Sequence, residues 1–140
     1  MSKTSKATGS CLCNAVTFTA DAMDHDVGAC HCEMCCKWSG GPLLAVDCGS
    51  DVSFTGEQSI SVFGSSEWAD RGFCSQCGSH LFWRLKQTNQ HIMPVGLFET
   101  EDLVLDHQVF IDEKPGYYSF SEKTTDMTGE QVFAMFAGDN

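Results

Sequence analysis

The stretch Gly9-Ser10-Cys11-Leu12-Cys13-Asn14-Ala15-Val16-Thr17-Phe18-Thr19-Ala20 carries two signals at once. Val16, Phe18 and Ala20 alternate with polar or small residues, the period-2 pattern of a strand with one buried face. Directly before it stand two cysteines one residue apart. A strand that opens on a thiol pair reads as a β unit stapled at its entrance.

Similar short runs recur downstream at 42–47, 52–55, 60–63, 68–73, 80–85, 91–97 and 108–111, punctuated by Gly, Ser, Asn and Asp. One segment reads as a helix. Thr128 and Gln131 have capping-box spacing, Val132, Phe133, Met135 and Phe136 follow, and Gly138 stops the run. The expected architecture is mainly β, a folded-over sheet or small barrel. A parallel α/β sheet is not expected, because the crossover helices it needs are missing. Residues 1–8 read as a loose tail and 9–140 as a single domain.

The chain has 140 residues, enough for one domain with a core, and 42% of them are hydrophobic. Eight Lys and Arg face nineteen Asp and Glu, a formal charge of −11. That balance excludes nucleic acid and anionic membrane surfaces as partners. The first ten residues hold no apolar run, so no secretory signal is expected. No segment approaches the length of a membrane span. A soluble, cytoplasmic protein is the expectation. Acidic residues concentrate at 11–36 and 88–113, where Lys and Arg are absent; neither stretch has the D-x-D-x-D-G spacing of a calcium loop. The sequence sets no oligomeric state.

Nine cysteines are the unusual count. In a reducing compartment, clustered thiols are metal ligands or catalytic groups more often than disulfides. Seven fall into three groups: Cys11 and Cys13; Cys30, Cys32 and Cys35; Cys74 and Cys77. Thiolates two or three residues apart reach one tetrahedral ion, and Asn14 and Gly78 suit the positive φ of the turns involved. Two pairs make a four-cysteine site that ties the first strand to the middle of the chain. The triplet is left with three ligands, the pattern of a catalytic zinc with an open position. Cys36 or His31 could instead close the triplet as a fourth ligand. An iron–sulfur cluster fits the C-x-C spacing poorly, and no thioredoxin-like pattern surrounds the C-x-x-C. Cys48 reads as a small core residue, and His25, His91 and His107 as structural or exposed. With seven thiolates and two zinc ions bound, the net charge would move to roughly −14.

Three motifs resemble those of one family. Gly9 to Phe18 is similar to its G-x-C-x-C-G-x-V-x-F. Cys30-His31-Cys32-Glu33-Met34-Cys35-Cys36-Lys37-Trp38-Ser39-Gly40 is similar to its C-H-C-x-x-C-x-K-x-x-G. Arg71-Gly72-Phe73-Cys74-Ser75-Gln76-Cys77-Gly78-Ser79-His80-Leu81 is similar to its R-x-F-C-x-x-C-G-x-x-L. The family is that of the glutathione-dependent formaldehyde-activating enzymes, also found in centromere protein V-like proteins. A weaker resemblance continues from Val95 to Lys114. Asn14 stands for the usual glycine, Cys36 for a polar residue, and Tyr117 or Tyr118 for a common tryptophan.

The resemblance implies an Mss4-like fold: mainly β, small antiparallel sheets stapled by zinc, with a short C-terminal helix. It implies two Zn2+ ions, a structural one on Cys11, Cys13, Cys74 and Cys77 and a catalytic one on Cys30, Cys32 and Cys35. The implied activity is carbon–sulfur lyase chemistry that joins a small thiol, glutathione being a candidate, to a small aldehyde, or the reverse. The zinc would activate the thiol or polarise the carbonyl. Lys37 and Arg71 are the motif-borne cations, placed either to hold a substrate carboxylate or in surface ion pairs. Trp38 and Phe73 either wall the site or pack the core. The alternative function is a zinc-stabilised binding module without catalysis, because the same fold also serves protein interaction.

Overall fold

Phe18 and Ala20 do lie buried on one face of a strand, and that strand is the inner member of a small sheet. In the computed structural model, which describes residues 3–137, the chain runs β1 (Thr4–Ser10), β2 (Thr17–Asp24), β3 (Asp26–Cys30), α1 (Glu33–Ser39), β4 (Leu43–Asp47), β5 (Val52–Thr55), β6 (Ile60–Gly64), β7 (Ala69–Cys74), β8 (His80–Leu85), β9 (His91–Pro94), β10 (Val104–Val109), β11 (Thr125–Met127) and α2 (Gly129–Ala137). The fold is mostly β, in two sheets, with a short C-terminal helix. No described helix is long and apolar enough to cross a membrane.

The smaller sheet has the order β1-β2-β5 and is antiparallel throughout. The larger has eight strands, β11-β10-β3-β4-β9-β8-β7-β6. Two of its pairings are parallel, β3 with β10 and β10 with β11. They need no βαβ crossover, because β3 and β10 are far apart in sequence and meet only after the chain has built β4 to β9. The sheets pack face to face through Phe18 and Phe54 on one side and Phe82 and His91 on the other. The ring centroids of Phe54 and Phe82 are 5.6 Å apart, and those of Phe82 and His91 are 5.2 Å apart. Val16, Met23, Val46, Cys48, Leu81 and Met93 complete this core.

The expected tail at 1–8 is corrected: Thr4–Ser10 is a strand, paired with β2 in a register that sets Gly9 opposite Phe18. Its side chains are Lys, Thr and Ser, and Ala7 alone is fully buried. Backbone hydrogen bonds to β2 hold it, so no hydrophobic alternation announces it. The run at 91–97 ends as a strand at Pro94 and continues as a 3-10 turn. The capping box is present: Thr128 N–H donates to Gln131 Oε1, and Gln131 N–H donates to Thr128 Oγ1. The stop assigned to Gly138 and the side chain of Phe136 lie outside what is described.

Strand β7 matters most for the site. Its buried positions switch phase, with Ala69 and Arg71 on one side and Gly72 and Cys74 on the other, at a register shift between Gly72 and Phe73. Gly72 lets the strands close at that point, since a Cβ there would stand 2.3 Å from the Phe82 ring. The shift is what allows one strand to address two cysteine clusters.

Candidate metal centre

The first cluster forms where two turns meet. Cys11 and Cys13 lie between β1 and β2, while Cys74 ends β7 and Cys77 lies in the turn before β8. Asn14 and Gly78 take positive φ, 65° and 81°, as their turns require. Backbone N–H groups point at the sulfurs: Val16 N–H donates to Cys11 Sγ at 3.4 Å, and Gln76 N–H to Cys74 Sγ at 3.4 Å. Ser79 ties the turns together. Its hydroxyl accepts from Leu12 N–H at 3.0 Å and lies 3.2 Å from Cys77 Sγ. The Ser79 hydroxyl and N–H also draw the Cys77 thiol down to about 5.

All four sulfurs lie within 4.8 Å of one another. Cys11 Sγ is 3.6 Å from Cys13 Sγ, and Cys13 Sγ is 3.8 Å from Cys74 Sγ. Sulfurs at the corners of a tetrahedral zinc, each at about 2.3 Å from the ion, stand about 3.8 Å apart. Donor type, donor number and spacing therefore all fit a closed tetrahedral ion.

The second cluster is built at the start of α1. Cys30 ends β3, Cys32 caps the helix by accepting from Cys35 N–H at 3.3 Å, and Cys35 is buried in the first turn. The helix closes on Gly40 in the left-handed region, with Lys37 paired to Glu33 on its exposed face at 3.5 Å. These three sulfurs also lie within 4.8 Å of one another, and among the described residues no fourth Cys, His, Asp or Glu donor joins them. Leu43, Ala45 and Ile92 line their apolar side.

The alternative fourth ligands face elsewhere. His31 is fully buried and both ring nitrogens are committed: Nε2 donates to Gln108 Oε1 at 2.8 Å, and Nδ1 accepts from the Tyr118 hydroxyl at 2.5 Å. Cys36 Sγ donates to the His31 carbonyl at 3.5 Å. All nine cysteines are free of disulfides. Cys48 is a fully buried core residue, as its apolar neighbours in sequence imply. His25 is held by Ser5 and the Asp102 carbonyl, and His91 by the Asn89 carbonyl. His107, half-buried, sits 3.1 Å from Asp106.

Charge decides what the triplet can hold. Hydrogen bonds from Cys30 and then Cys35, with the Arg71 charge behind them, hold the Cys32 thiol down at about 2. Bonding to Cys32 and Cys35 pushes Cys30 strongly up. Three thiolates this close repel one another, so a positive ion is what would hold them together.

Arg71 departs from the surface ion pair open to it from sequence. It is 2% exposed, and Nη2 donates to Cys35 Sγ at 3.5 Å. Trp38 lies over it, 6.0 Å from ring centroid to guanidinium, and also packs on Phe73 and His80. Burial and then the Arg71 charge push His80 down. Lys37, by contrast, does sit in an exposed ion pair. The His31–Gln108–Tyr118 network was the part of this site that motif reading passed over; the Tyr after Lys114 was its one signal, and Tyr118 rather than the exposed Tyr117 fills that role.

The sequence model described as glutathione-dependent formaldehyde-activating enzyme matches residues 6–113. An uncharacterized lyase of Schizosaccharomyces pombe is 33% identical over 126 residues, which cover 89% of this chain and 92% of that protein. The crystal structure of a Rhodobacter sphaeroides protein is similar with a TM-score of 0.57 at 20% identity, covering 66% of this chain and 87% of the other, a likeness of fold.

Proposed function

The chain belongs to the family of glutathione-dependent formaldehyde-activating enzymes, and from that premise we propose that it is a zinc-dependent carbon–sulfur lyase that joins a small thiol to a small aldehyde, or parts them, at Cys30, Cys32 and Cys35. The observation that carries this reading is the inequality of the two clusters. Four sulfurs close a tetrahedron at Cys11, Cys13, Cys74 and Cys77, while the triplet gathers three and no fourth donor among the described residues. The quartet is then the structural zinc site and the triplet the catalytic one. We place the protein in the cytoplasm, where a reducing pool keeps such thiols free.

A zinc ion held by the triplet would supply a lowered pKa to an incoming thiol and polarisation to an aldehyde carbonyl. The chain supplies the rest. Cys30 and Cys35 present their sulfurs from a β-strand end and a helix turn, so their spacing is fixed by backbone rather than by flexible side chains. Leu43, Ala45 and Ile92 keep water from one side of them. In the forward direction the substrate sulfur adds to the aldehyde carbon, the carbonyl π electrons move to oxygen, and that oxygen takes the proton the thiol gives up. Glutathione and formaldehyde are the first pair to try. Carbon-13 NMR of formaldehyde with glutathione, cysteine or mercaptoethanol measures the rate of thiohemiacetal formation. Zinc-loaded protein should accelerate it for at least one thiol; no acceleration with both sites filled would leave a zinc-stabilised binding module.

A further inference from the structure

Among the described residues, no carboxylate pairs with Arg71. Its residue is 98% removed from solvent by the fold, at 2% exposure, and no described salt bridge includes it; those present involve other residues. Its side chain hydrogen-bonds, among the described residues, to Cys35 Sγ at 3.5 Å. Among the described residues, Arg71 Nε is the buried side-chain nitrogen left with no partner. Burying a guanidinium, a permanent cation, is costly unless an anion answers it. The anion at hand is the cysteine triplet.

The charge count gives the position a purpose. Three thiolates and a divalent ion sum to −1. A fourth thiolate arriving from solution would make −2 at a half-buried site, and repulsion there is strong because the surroundings screen weakly. With Arg71 in place the resting site is neutral, and one more negative charge makes −1. We propose that Arg71 is a positioning residue of the three-cysteine site: its guanidinium holds Cys35 and supplies the positive charge that lets an anionic fourth ligand, a thiolate, join the three cysteines. The orphaned Nε leaves the guanidinium charge unanswered by any described group other than the cysteine sulfurs. The inference rests on the triplet being an open metal site, as argued above.

The test uses the full chain loaded with cobalt(II) at both sites, titrated with mercaptoethanol as an uncharged thiol that binds as its anion, and with imidazole as a neutral ligand. The absorption bands of cobalt report each binding event without any turnover. In Arg71→Gln, affinity for mercaptoethanol should fall about tenfold or more relative to imidazole. Arg71→Lys keeps the charge and should lose less. Equal losses for both ligands, or none, would overturn the proposal, since a structural role alone does not tell an anion from a neutral molecule. Should Arg71→Gln not fold, Arg71→Lys decides: thiol preference kept close to that of the parent supports the charge role, and loss of that preference overturns it. A parent protein whose spectrum ignores thiols altogether would instead remove the open-site reading, and the Arg71 proposal with it.

Discussion

Cys13 Sγ and Cys74 Sγ lie 3.8 Å apart although 61 residues separate them in sequence. That contact closes the smaller sheet onto the strand that carries Arg71. A four-thiolate zinc site is worth about 10–16 kcal/mol in isolated peptides at pH 7, while a whole domain is stable by about 5–15 kcal/mol. Removing this ion should therefore unfold the protein. Cys13→Ser is the cleanest variant, because Cys13 is exposed and leaves the core intact. Its melting temperature should drop by more than about 10 °C, and a strong chelator should do the same to the parent. A Cys13→Ser protein that melts with the parent would contradict the structural role.

The triplet should behave differently. Cys32 caps α1, and serine is itself a favoured cap, so Cys32→Ser keeps the helix start while removing a thiolate. We expect a folded protein that binds one metal ion in place of two, melts within a few degrees of the parent, and shows no acceleration of thiohemiacetal formation. Metal analysis and calorimetry on one preparation check all three. Two tightly held ions in Cys32→Ser would remove this cysteine from the ligand set.

Cys48 offers a test away from either cluster. Burial, with help from Asp47 and Asp24, pushes its thiol up from 9.0 to about 12. The folded chain thus disfavours the thiolate, and the folded pKa lies above the unfolded one. Stability from keeping Cys48 neutral is complete below about pH 9 and is lost as pH rises towards 12. Thermal melts from pH 8 to 11 should fall more steeply for the parent than for Cys48→Ala. Parallel curves would mean that Cys48 ionises freely in the folded state.

The strands with alternating apolar residues were legible because side-chain burial is written in the sequence. Val52–Thr55 folds within the limits that alternation marks, and His80–Leu85 within those of its apolar run. The seven-cysteine partition was legible for a different reason: short spacings fix local turn geometry, and joining the two pairs makes four ligands while leaving the triplet with three. What the sequence hid is held by backbone or by distant contacts. β1 is polar and pairs through its main chain. β3 buries only Val27 and Ala29, on either side of Gly28, so its alternation is short and faint in the sequence. Helix α1 was masked by its cysteines, although the Cys32 cap, the Glu33–Lys37 pair and the Gly40 stop all mark it. Arg71 could not be read as buried, since nothing local distinguishes a charge that faces solvent from one that faces sulfur.

His31 shows how such a hidden contact holds the site. It sits between two residues of the triplet, yet its ring points away, to Gln108 on β10 and to Tyr118. Gln108 in turn donates to Thr124 Oγ1 at 2.9 Å. The chain carrying Cys30 and Cys32 is therefore pinned from behind by a buried polar network. Tyr118→Phe removes the hydroxyl and leaves His31 Nδ1 without its donor, in a position closed to water. The cost should be about 1–3 kcal/mol in denaturant unfolding. Because the lost bond fixes the loop between two sulfurs, the triplet should also release its metal faster to a chelator, while the quartet keeps its own rate. Loss of stability with both release rates unchanged would confine Tyr118 to packing and separate the network from the site it backs.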